Sequence, residues 1–178
     1  MAIKATIFKA DLQIADMDRN YYAEHSLTLA RHPSETDERM MVRLLAFVLF
    51  AHEHLAFGKG MCADDEPDLW RKDLTGAIEL WIDVGLPDEK WTRKACGRAK
   101  QVVLLSYGGR TAEMWWSANR AKYLRQENLR VFNLAPEASL ALAALANRNM
   151  RLQCSIQDGQ VWITDTLDTV HIEPLKLL

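Results

Sequence analysis

Four acidic residues lie in a short stretch of the sequence that has the pattern of a β-hairpin. They occur in EPDLWRKDLTGAIELWIDVG, at Glu66, Asp68, Glu79 and Asp83. A tight turn at DLTG between the two hydrophobic runs is expected to place Asp68 opposite Trp81 and Glu66 opposite Asp83. Because side chains alternate along a strand, this register predicts that all four carboxylates share one face of the hairpin.

Carboxylates grouped on a rigid hairpin are typical ligands of a hard divalent cation. Mg²⁺ takes a few carboxylate oxygens and keeps several waters. Like charges that face each other across two strands destabilise the pair by up to about 1 kcal/mol, and a bound cation removes that cost. A metal held in this way can stabilise a phosphate and activate a water molecule. The alternative is an ordinary solvated face, on which Arg71 and Lys72 pair with the acids.

A row of basic residues follows the acidic hairpin. Lys90, Lys94 and Arg98 recur every four residues, so they lie on one side of the helix that is predicted to begin at Pro87. If this row faces the carboxylates, it can hold a phosphate or polarise a water. If it faces solvent, it is an ordinary charged helix surface, and the spacing leaves both interpretations open.

The elements that must position these residues alternate between hairpins, helices and strands. Residues 5–30 fit a hairpin around ADMDRN, and Ser34 is a typical N-cap for a long helix that ends near Glu53. The acidic hairpin comes next. The following helix is predicted to have Pro87 just inside its first turn.

The second half of the chain continues this alternation. QVVLLSY is a continuous apolar run, typical of a strand buried on both faces. A helix over TAEMWWSANRAKYLRQ, a strand at LRVFNL, a short helix after Pro136 and a hairpin that turns at Asp158 and Gly159 complete the pattern. The order ββαβββαβαβαββ indicates an α/β or α+β fold with a mixed sheet flanked by helices.

Length and composition place the chain among ordinary globular proteins. Its 178 residues, 49% of them hydrophobic, are most simply a single domain over 1–178. Its apolar runs are far shorter than the roughly 20 residues that cross a bilayer, and charges interrupt any signal sequence, which predicts a cytoplasmic protein without membrane association. The net charge of −2 means that nucleic acid binding needs a local basic patch. Cys62, Cys96 and Cys154 lack metal or redox spacing and are interpreted as core thiols.

Several unusual strings, in the same order, resemble the YaeQ family of bacterial proteins. They are QIADMDRNYY, LARHPSETDERMMVRLLAF, EPDLW, IELWIDVG, PDEKWTRKACGRA and MWW. The resemblance implies a compact member of the PD-(D/E)XK restriction-endonuclease-like superfamily, with additional N- and C-terminal β-hairpins beside its mixed sheet. It also implies a site in which Asp68, preceded by Pro67, and Asp83 are the two acids.

The lysine of the superfamily motif is missing from its usual position, where this chain has Gly85. Other members carry that lysine on the following helix, so the resemblance implies that Lys94, or Lys90 as the second choice, takes its place. A glutamate from the first core helix often joins such a site. Glu38 and Glu53 are both candidates here.

These residues support two functional hypotheses. The first is a Mg²⁺-dependent phosphodiesterase or nuclease in which Asp68, Asp83, Glu79 and Lys94 are catalytic, and Asp68, Asp83 and Glu66 bind the metal. The second is a non-catalytic regulatory module that keeps the nuclease fold and holds a nucleic acid or protein partner in its cleft. A purely structural protein is a third class. The sequence leaves the choice between DNA and RNA, and the oligomeric state, open.

Overall fold

A computed structural model describes residues 4–59, 61 and 63–178, which form eleven strands and four helices. The elements of the first half are β1 (Thr6–Asp16), β2 (Tyr21–Arg31), α1 (Asp37–Leu49), β3 (Leu55–Phe57), β4 (Leu69–Lys72), β5 (Ile78–Val84) and α2 (Glu89–Arg98). Those of the second half are β6 (Ala99–Ser106), α3 (Arg110–Tyr123), β7 (Leu129–Asn133), α4 (Pro136–Ala144), β8 (Asn149–Gln157), β9 (Gln160–Thr164), β10 (Thr169–Ile172) and β11 (Leu175–Lys176). No helix in the described part of the chain is long and apolar enough to cross a membrane.

The strands form two mixed sheets rather than the one expected, and the predicted α+β class is confirmed. The orders are β10-β9-β8-β1-β2 and β11-β7-β6-β5-β4-β3. The chain also divides into two compact units. The first contains the described residues up to Leu49 together with Glu137–Pro174, and the second contains Phe50–Pro136 and Leu175–Leu178. The single-domain interpretation stays a prediction.

The first unit is built on the N-terminal hairpin. In β1, Phe8, Leu12 and Ile14 are buried and alternate with exposed polar residues, so one face of the strand joins the core. β1 pairs with β2 antiparallel and with β8 parallel. Both hairpins predicted from the sequence therefore form, and the β1–β8 pairing joins them in one sheet. The turn at Asp158 and Gly159 has positive φ at both residues, as the sequence predicts.

The first helix, α1, begins later and ends earlier than predicted. The hydroxyl of Thr36 accepts a hydrogen bond from the Arg39 backbone nitrogen at 3.1 Å, so Thr36 caps the helix instead of Ser34. The Ser34 hydroxyl instead lies 2.6 Å from a ring nitrogen of His32. The helix ends at Leu49, so Glu53 lies outside it. Glu38 stays on α1, where its carboxylate accepts a hydrogen bond from Ser139.

The second unit is built on three parallel strands, β5, β6 and β7. The predicted doubly buried strand is confirmed, since all of residues 102–106 on β6 are buried. The following helix starts two residues later than predicted. Asp88 is the N-cap of α2, with its side chain accepting a hydrogen bond from the Trp91 backbone nitrogen, and Pro87 precedes the helix. The Pro87 carbonyl accepts hydrogen bonds from the side chains of Trp115 and Tyr123, which fixes the start of α2 against α3.

The acidic hairpin forms with a register two residues away from the predicted one. Leu69 pairs with Ile82 and Trp70 with Trp81. Continued by one residue, this register places Asp68 opposite Asp83. The pairing is also irregular between Arg71 and Lys72, where one residue of β5 is skipped. The predicted pairing of Asp68 with Trp81, and of Glu66 with Asp83, is therefore wrong.

Candidate functional site

The carboxylates of Asp68 and Asp83 lie together at the end of the β4–β5 pair. The backbone nitrogen of Asp68 donates to Oδ1 of Asp83 at 3.2 Å. The backbone nitrogen of Val84 donates to Oδ2 of Asp68 at 2.9 Å. Each aspartate is only 5% exposed. The fold thus places two acids directly opposite each other in a nearly solvent-free position.

Two tryptophans hold the Asp83 carboxylate. The indole nitrogens of Trp81 and Trp91 each donate to Oδ2 of Asp83 at 2.7 Å. Trp81 is two residues before Asp83 on β5, so alternation puts both side chains on one face. Trp91 comes from the first turn of α2. Sequence reasoning missed both donors, although the i, i+2 spacing of Trp81 and Asp83 was a signal for the first.

The carboxyl group of Asp83 has a pKa well above its ordinary value. Burial raises the pKa of its carboxyl group from 3.8 to about 6, and the nearby charge of Asp68 raises it as well. The hydrogen bonds from Trp81 and Trp91 act in the opposite direction, because they stabilise the ionised form. A buried carboxyl group that titrates near neutral pH is suited to proton transfer.

The other two predicted acids make ion pairs outside this aspartate pair. Oε2 of Glu79 accepts from Nε of Arg71 at 3.1 Å, and Oε1 lies 3.9 Å from Nζ of Lys100. The irregular step in the β4–β5 pairing falls at Glu79. The alternation of side chains along β5 therefore does not tell which face the Glu79 side chain lies on. Oε2 of Glu66 accepts from the Lys59 backbone nitrogen at 2.9 Å. Among the residues that the structure describes, no group of three or more His, Cys, Asp or Glu side chains is placed to hold a metal ion.

The basic row of α2 reaches the segment that leads into Asp68. Nζ of Lys94 donates to Oδ1 of Asp65 at 2.5 Å, and Nη1 of Arg98 donates to the backbone carbonyl of Asp65 at 2.9 Å. Lys90, the second-choice replacement for the missing lysine, is exposed. Lys94 therefore contacts the chain at Asp65, three residues before Asp68.

The same two cations pack on the tryptophans that hold Asp83. Nζ of Lys94 lies 5.4 Å from the ring centroid of Trp91, and the guanidinium of Arg98 lies 5.3 Å from that of Trp81. Cations over indole faces are attracted by the ring quadrupole. The site thus has three layers, which are the buried carboxylate of Asp83, the indoles of Trp81 and Trp91, and the cations of Lys94 and Arg98.

The oxygen atoms of the aspartate pair fit a hard divalent cation, but only some of them are available to bind it. An ionised carboxylate offers about four lone-pair positions, and the two indoles take both positions on Oδ2 of Asp83. The oxygens that could hold a cation would therefore be Oδ1 of Asp83 and the Asp68 carboxylate. Mg²⁺ commonly binds one or two carboxylates and fills the remaining positions with water and phosphate oxygens, so two aspartates are a sufficient protein contribution.

The cysteines take no part in this site. Cys96 and Cys154 are free thiols. Burial raises the pKa of Cys96 to about 11 and that of Cys154 to about 12, so both stay protonated at neutral pH. Cys62 lies outside the described residues.

Comparison with known proteins gives matches over nearly the whole length. The family model described as YaeQ protein matches residues 1–174. The uncharacterized protein YaeQ of Escherichia coli (strain K12) is 48% identical over 172 residues, which is 97% of this chain and 95% of that protein. The crystal structure of the YaeQ protein from Xanthomonas axonopodis pv. citri superimposes with a TM-score of 0.95 at 54% identity, covering 97% of this chain and 98% of that one. The structure from Pseudomonas syringae gives 0.94 at 33% identity, with 98% and 96% coverage.

Proposed function

This chain belongs to the YaeQ family, and we propose that it is a Mg²⁺-dependent phosphodiester hydrolase acting on nucleic acid through an incomplete PD-(D/E)XK-type site. The observation that carries the proposal is the contact between Asp68 and Asp83, two buried acids on neighbouring strands. Pro67 precedes the first acid, as the motif requires. Two like charges held together in a dry position are costly unless a cation or a proton neutralises them.

In this proposal Asp68 and Asp83 hold the metal, which when bound supplies charge stabilisation to a phosphate and a more acidic water. Lys94 provides the ammonium group that contacts phosphate. Arg98 stands one helical turn away on the same side of α2. Glu79 and Glu66 are engaged by cations or backbone elsewhere, and we give them no ligand role.

The backbone conformation at Gly85 supports a lysine supplied from α2 rather than from β5. Gly85 has φ +94°, a conformation that L side chains rarely adopt. Its nitrogen donates to the Leu105 carbonyl at 2.9 Å, which ties this conformation to the neighbouring strand β6. A lysine at position 85 would therefore strain the backbone, whereas Lys94 projects from a regular helix.

Metal titration tests the proposal directly. Mg²⁺ and Mn²⁺ are titrated calorimetrically into the wild-type protein, into Asp68→Asn and into the double variant Asp68→Asn/Asp83→Asn. We expect saturable binding in the wild type and none in the double variant. Glu79→Gln is the matched control, because it removes one acidic charge from β5 outside the aspartate pair, and its binding should equal that of the wild type.

Cleavage of labelled DNA and RNA, single- and double-stranded, is then measured with and without Mg²⁺. Metal-dependent cleavage that disappears in Asp68→Asn and in Lys94→Gln supports the hydrolase. Metal binding that persists unchanged in the double variant would overturn the assignment of the site.

A second candidate is a non-catalytic module that binds nucleic acid. The observation that favours it is the engagement of Asp83 by two indole donors, which gives the carboxylate strong partners without a metal. Under this alternative the aspartate pair maintains the fold of the binding face. Oligonucleotide binding that needs no divalent metal, survives Asp68→Asn and is never accompanied by cleavage would select the module over the hydrolase.

A further inference from the structure

Asp65 occupies a position between two cations of α2. Lys94 and Arg98 are four residues apart on one helical face, and both reach Asp65 across 29 and 33 residues of sequence. Lys94 binds the side-chain oxygen and Arg98 binds the backbone carbonyl oxygen. The two cations therefore converge on neighbouring oxygen atoms of a single residue.

The cations are held in place by their packing on aromatic rings. Lys94 and Arg98 lie over Trp91 and Trp81, whose indole nitrogens are fixed by Asp83. A fixed pair of cations, one of them an arginine with several donors in a planar fork, is the arrangement that recognises phosphate oxygens. The side chains of Lys94 and Asp65 are 43% and 78% exposed, so solvent and ligands reach the contact.

We propose that Lys94 and Arg98 form a binding site for a phosphate of the nucleic acid backbone, and that Asp65 fills this site until the phosphate displaces it. This inference rests on the proposed function and adds a regulatory contact to the same face of the protein. Asp65 acts as an internal competitor, since its carboxylate presents the negative charge and oxygen atoms that the phosphate would bring.

The strength of the Asp65 contact suits an exchangeable competitor. Its hydrogen bond to Lys94, and the charge of that residue, hold the pKa of Asp65 below its ordinary value, so it is ionised at neutral pH. Exposed ion pairs contribute little and are screened by salt. A phosphodiester brings two non-bridging oxygens and its neighbours along the strand, so it can replace a single exposed carboxylate.

The position of Asp65 in the chain connects its displacement by phosphate with access to the aspartate pair. Glu66, the next residue, stays bound to the Lys59 backbone nitrogen, and Asp68 follows two residues later. The Asp65–Lys94 bond is made by the Asp65 side chain, so a rotation of that side chain breaks it without breaking the bond between Glu66 and Lys59. A phosphate in its place lies on the side of α2 that faces the segment leading into the aspartate pair.

The test compares Asp65→Asn with Asp64→Asn. Asp64 is the exposed acid one residue earlier, so the control removes the same charge from the same segment. Binding of fluorescent oligonucleotides, single- and double-stranded, is measured by anisotropy without divalent metal and at fixed salt. We expect Asp65→Asn to bind about threefold or more tightly than the wild type, Asp64→Asn to bind nearly as the wild type does, and Asp65→Asn/Arg98→Gln to lose the gain.

Indole resonances provide a second readout of oligonucleotide binding, one that locates the bound strand on the protein. Adding the oligonucleotide should shift the indole N–H signals of Trp81 and Trp91, whose rings the two cations contact. Equal affinities of Asp65→Asn and Asp64→Asn, or a gain that survives Arg98→Gln, would overturn the inference. So would indole shifts with inorganic phosphate alone and no oligonucleotide binding by any variant.

The metal-free design separates this inference from the proposed hydrolase. A gain in Asp65→Asn without any metal-dependent cleavage supports the phosphate site and rejects the hydrolase. Cleavage that requires Asp68, together with no gain in Asp65→Asn, rejects the internal competitor and keeps the hydrolase.

Discussion

The indole nitrogen of Trp91, at the start of α2, lies 2.7 Å from Oδ2 of Asp83 on β5. This bond connects a helix to the central acid of the candidate site. It also lowers the pKa of that acid, because it stabilises the ionised form, and so opposes part of the increase caused by burial.

Removing this donor should raise the pKa of Asp83. In Trp91→Phe the carboxylate loses one of its two indole hydrogen bonds, so we expect its pKa to move above about 6. The measurement is a pH titration of the Asp83 carboxyl carbon by NMR. Trp115→Phe is the control, because the Trp115 indole donates to the Pro87 carbonyl, and it should leave the Asp83 titration unchanged.

Asp83 should make the fold less stable as pH rises from about 4 to about 6. Its folded-state pKa of about 6 lies above the ordinary value of 3.8, so the folded protein binds the additional proton in this interval. Relative to Asp83→Asn, the wild type should lose roughly 3 kcal/mol of unfolding free energy across it. Urea unfolding of both proteins between pH 4 and pH 7 measures the difference. A wild-type curve parallel to that of Asp83→Asn would contradict the prediction.

The buried ion pair of the first unit should be far more important for stability than an exposed one. Arg43 binds both carboxylate oxygens of Glu35, at 2.7 and 2.9 Å, and both residues are buried. Arg43→Met leaves the buried Glu35 carboxylate with Arg39, at 3.0 Å, in place of two cationic partners, and we expect a cost of about 3 kcal/mol. Arg71→Met breaks the partly exposed pair with Glu79 and should cost about 1 kcal/mol or less. Comparable losses in the two variants, measured by chemical denaturation, would contradict this ranking.

Placing a lysine at position 85, where the proposed PD-(D/E)XK-type motif would have one, should destabilise the protein. Gly85→Lys imposes a side chain at φ +94°, and the expected cost is about 1–3 kcal/mol with no gain in phosphodiester hydrolysis. Gly97→Ala is the matched control, since Gly97 lies inside α2 with open space around an added Cβ. That change should stabilise the fold by about 0.5–1 kcal/mol. Thermal unfolding and a cleavage assay on both variants provide the comparison.

The elements with strong local patterns were predictable from the sequence. The alternating residues of β1, the apolar run of β6 and the turn at Asp158 and Gly159 all predict what the structure contains. The resemblance to the YaeQ family is confirmed by the family model and by relatives of known structure. These features depend on neighbouring residues or on long matching strings, which a sequence displays directly.

The site depends on relationships that local patterns do not contain. The register of the acidic hairpin differs by two residues, and the irregular step in the pairing takes Glu79 into an ion pair with Arg71. A period of two cannot reveal a skipped residue. The partnership of Trp91 with Asp83 and of Lys94 with Asp65 joins a helix to strands and loops, so it is decided by tertiary packing. The polar–apolar alternation of β10 covers only four residues, and β11 has only two residues, so neither strand gives a long periodic signal.

The pairing of β1 with β8 has a consequence for synthesis on the ribosome. Lys9 pairs with Asn149 and Asp16 with Ile156, so the inner edge of β1 waits for a partner made about 140 residues later. At typical translation rates that delay is on the order of 10 seconds. A lone two-stranded hairpin is only marginally stable. The nascent N-terminal hairpin thus emerges with one edge of β1 unpaired, and that edge stays open to other strands until β8 has left the exit tunnel.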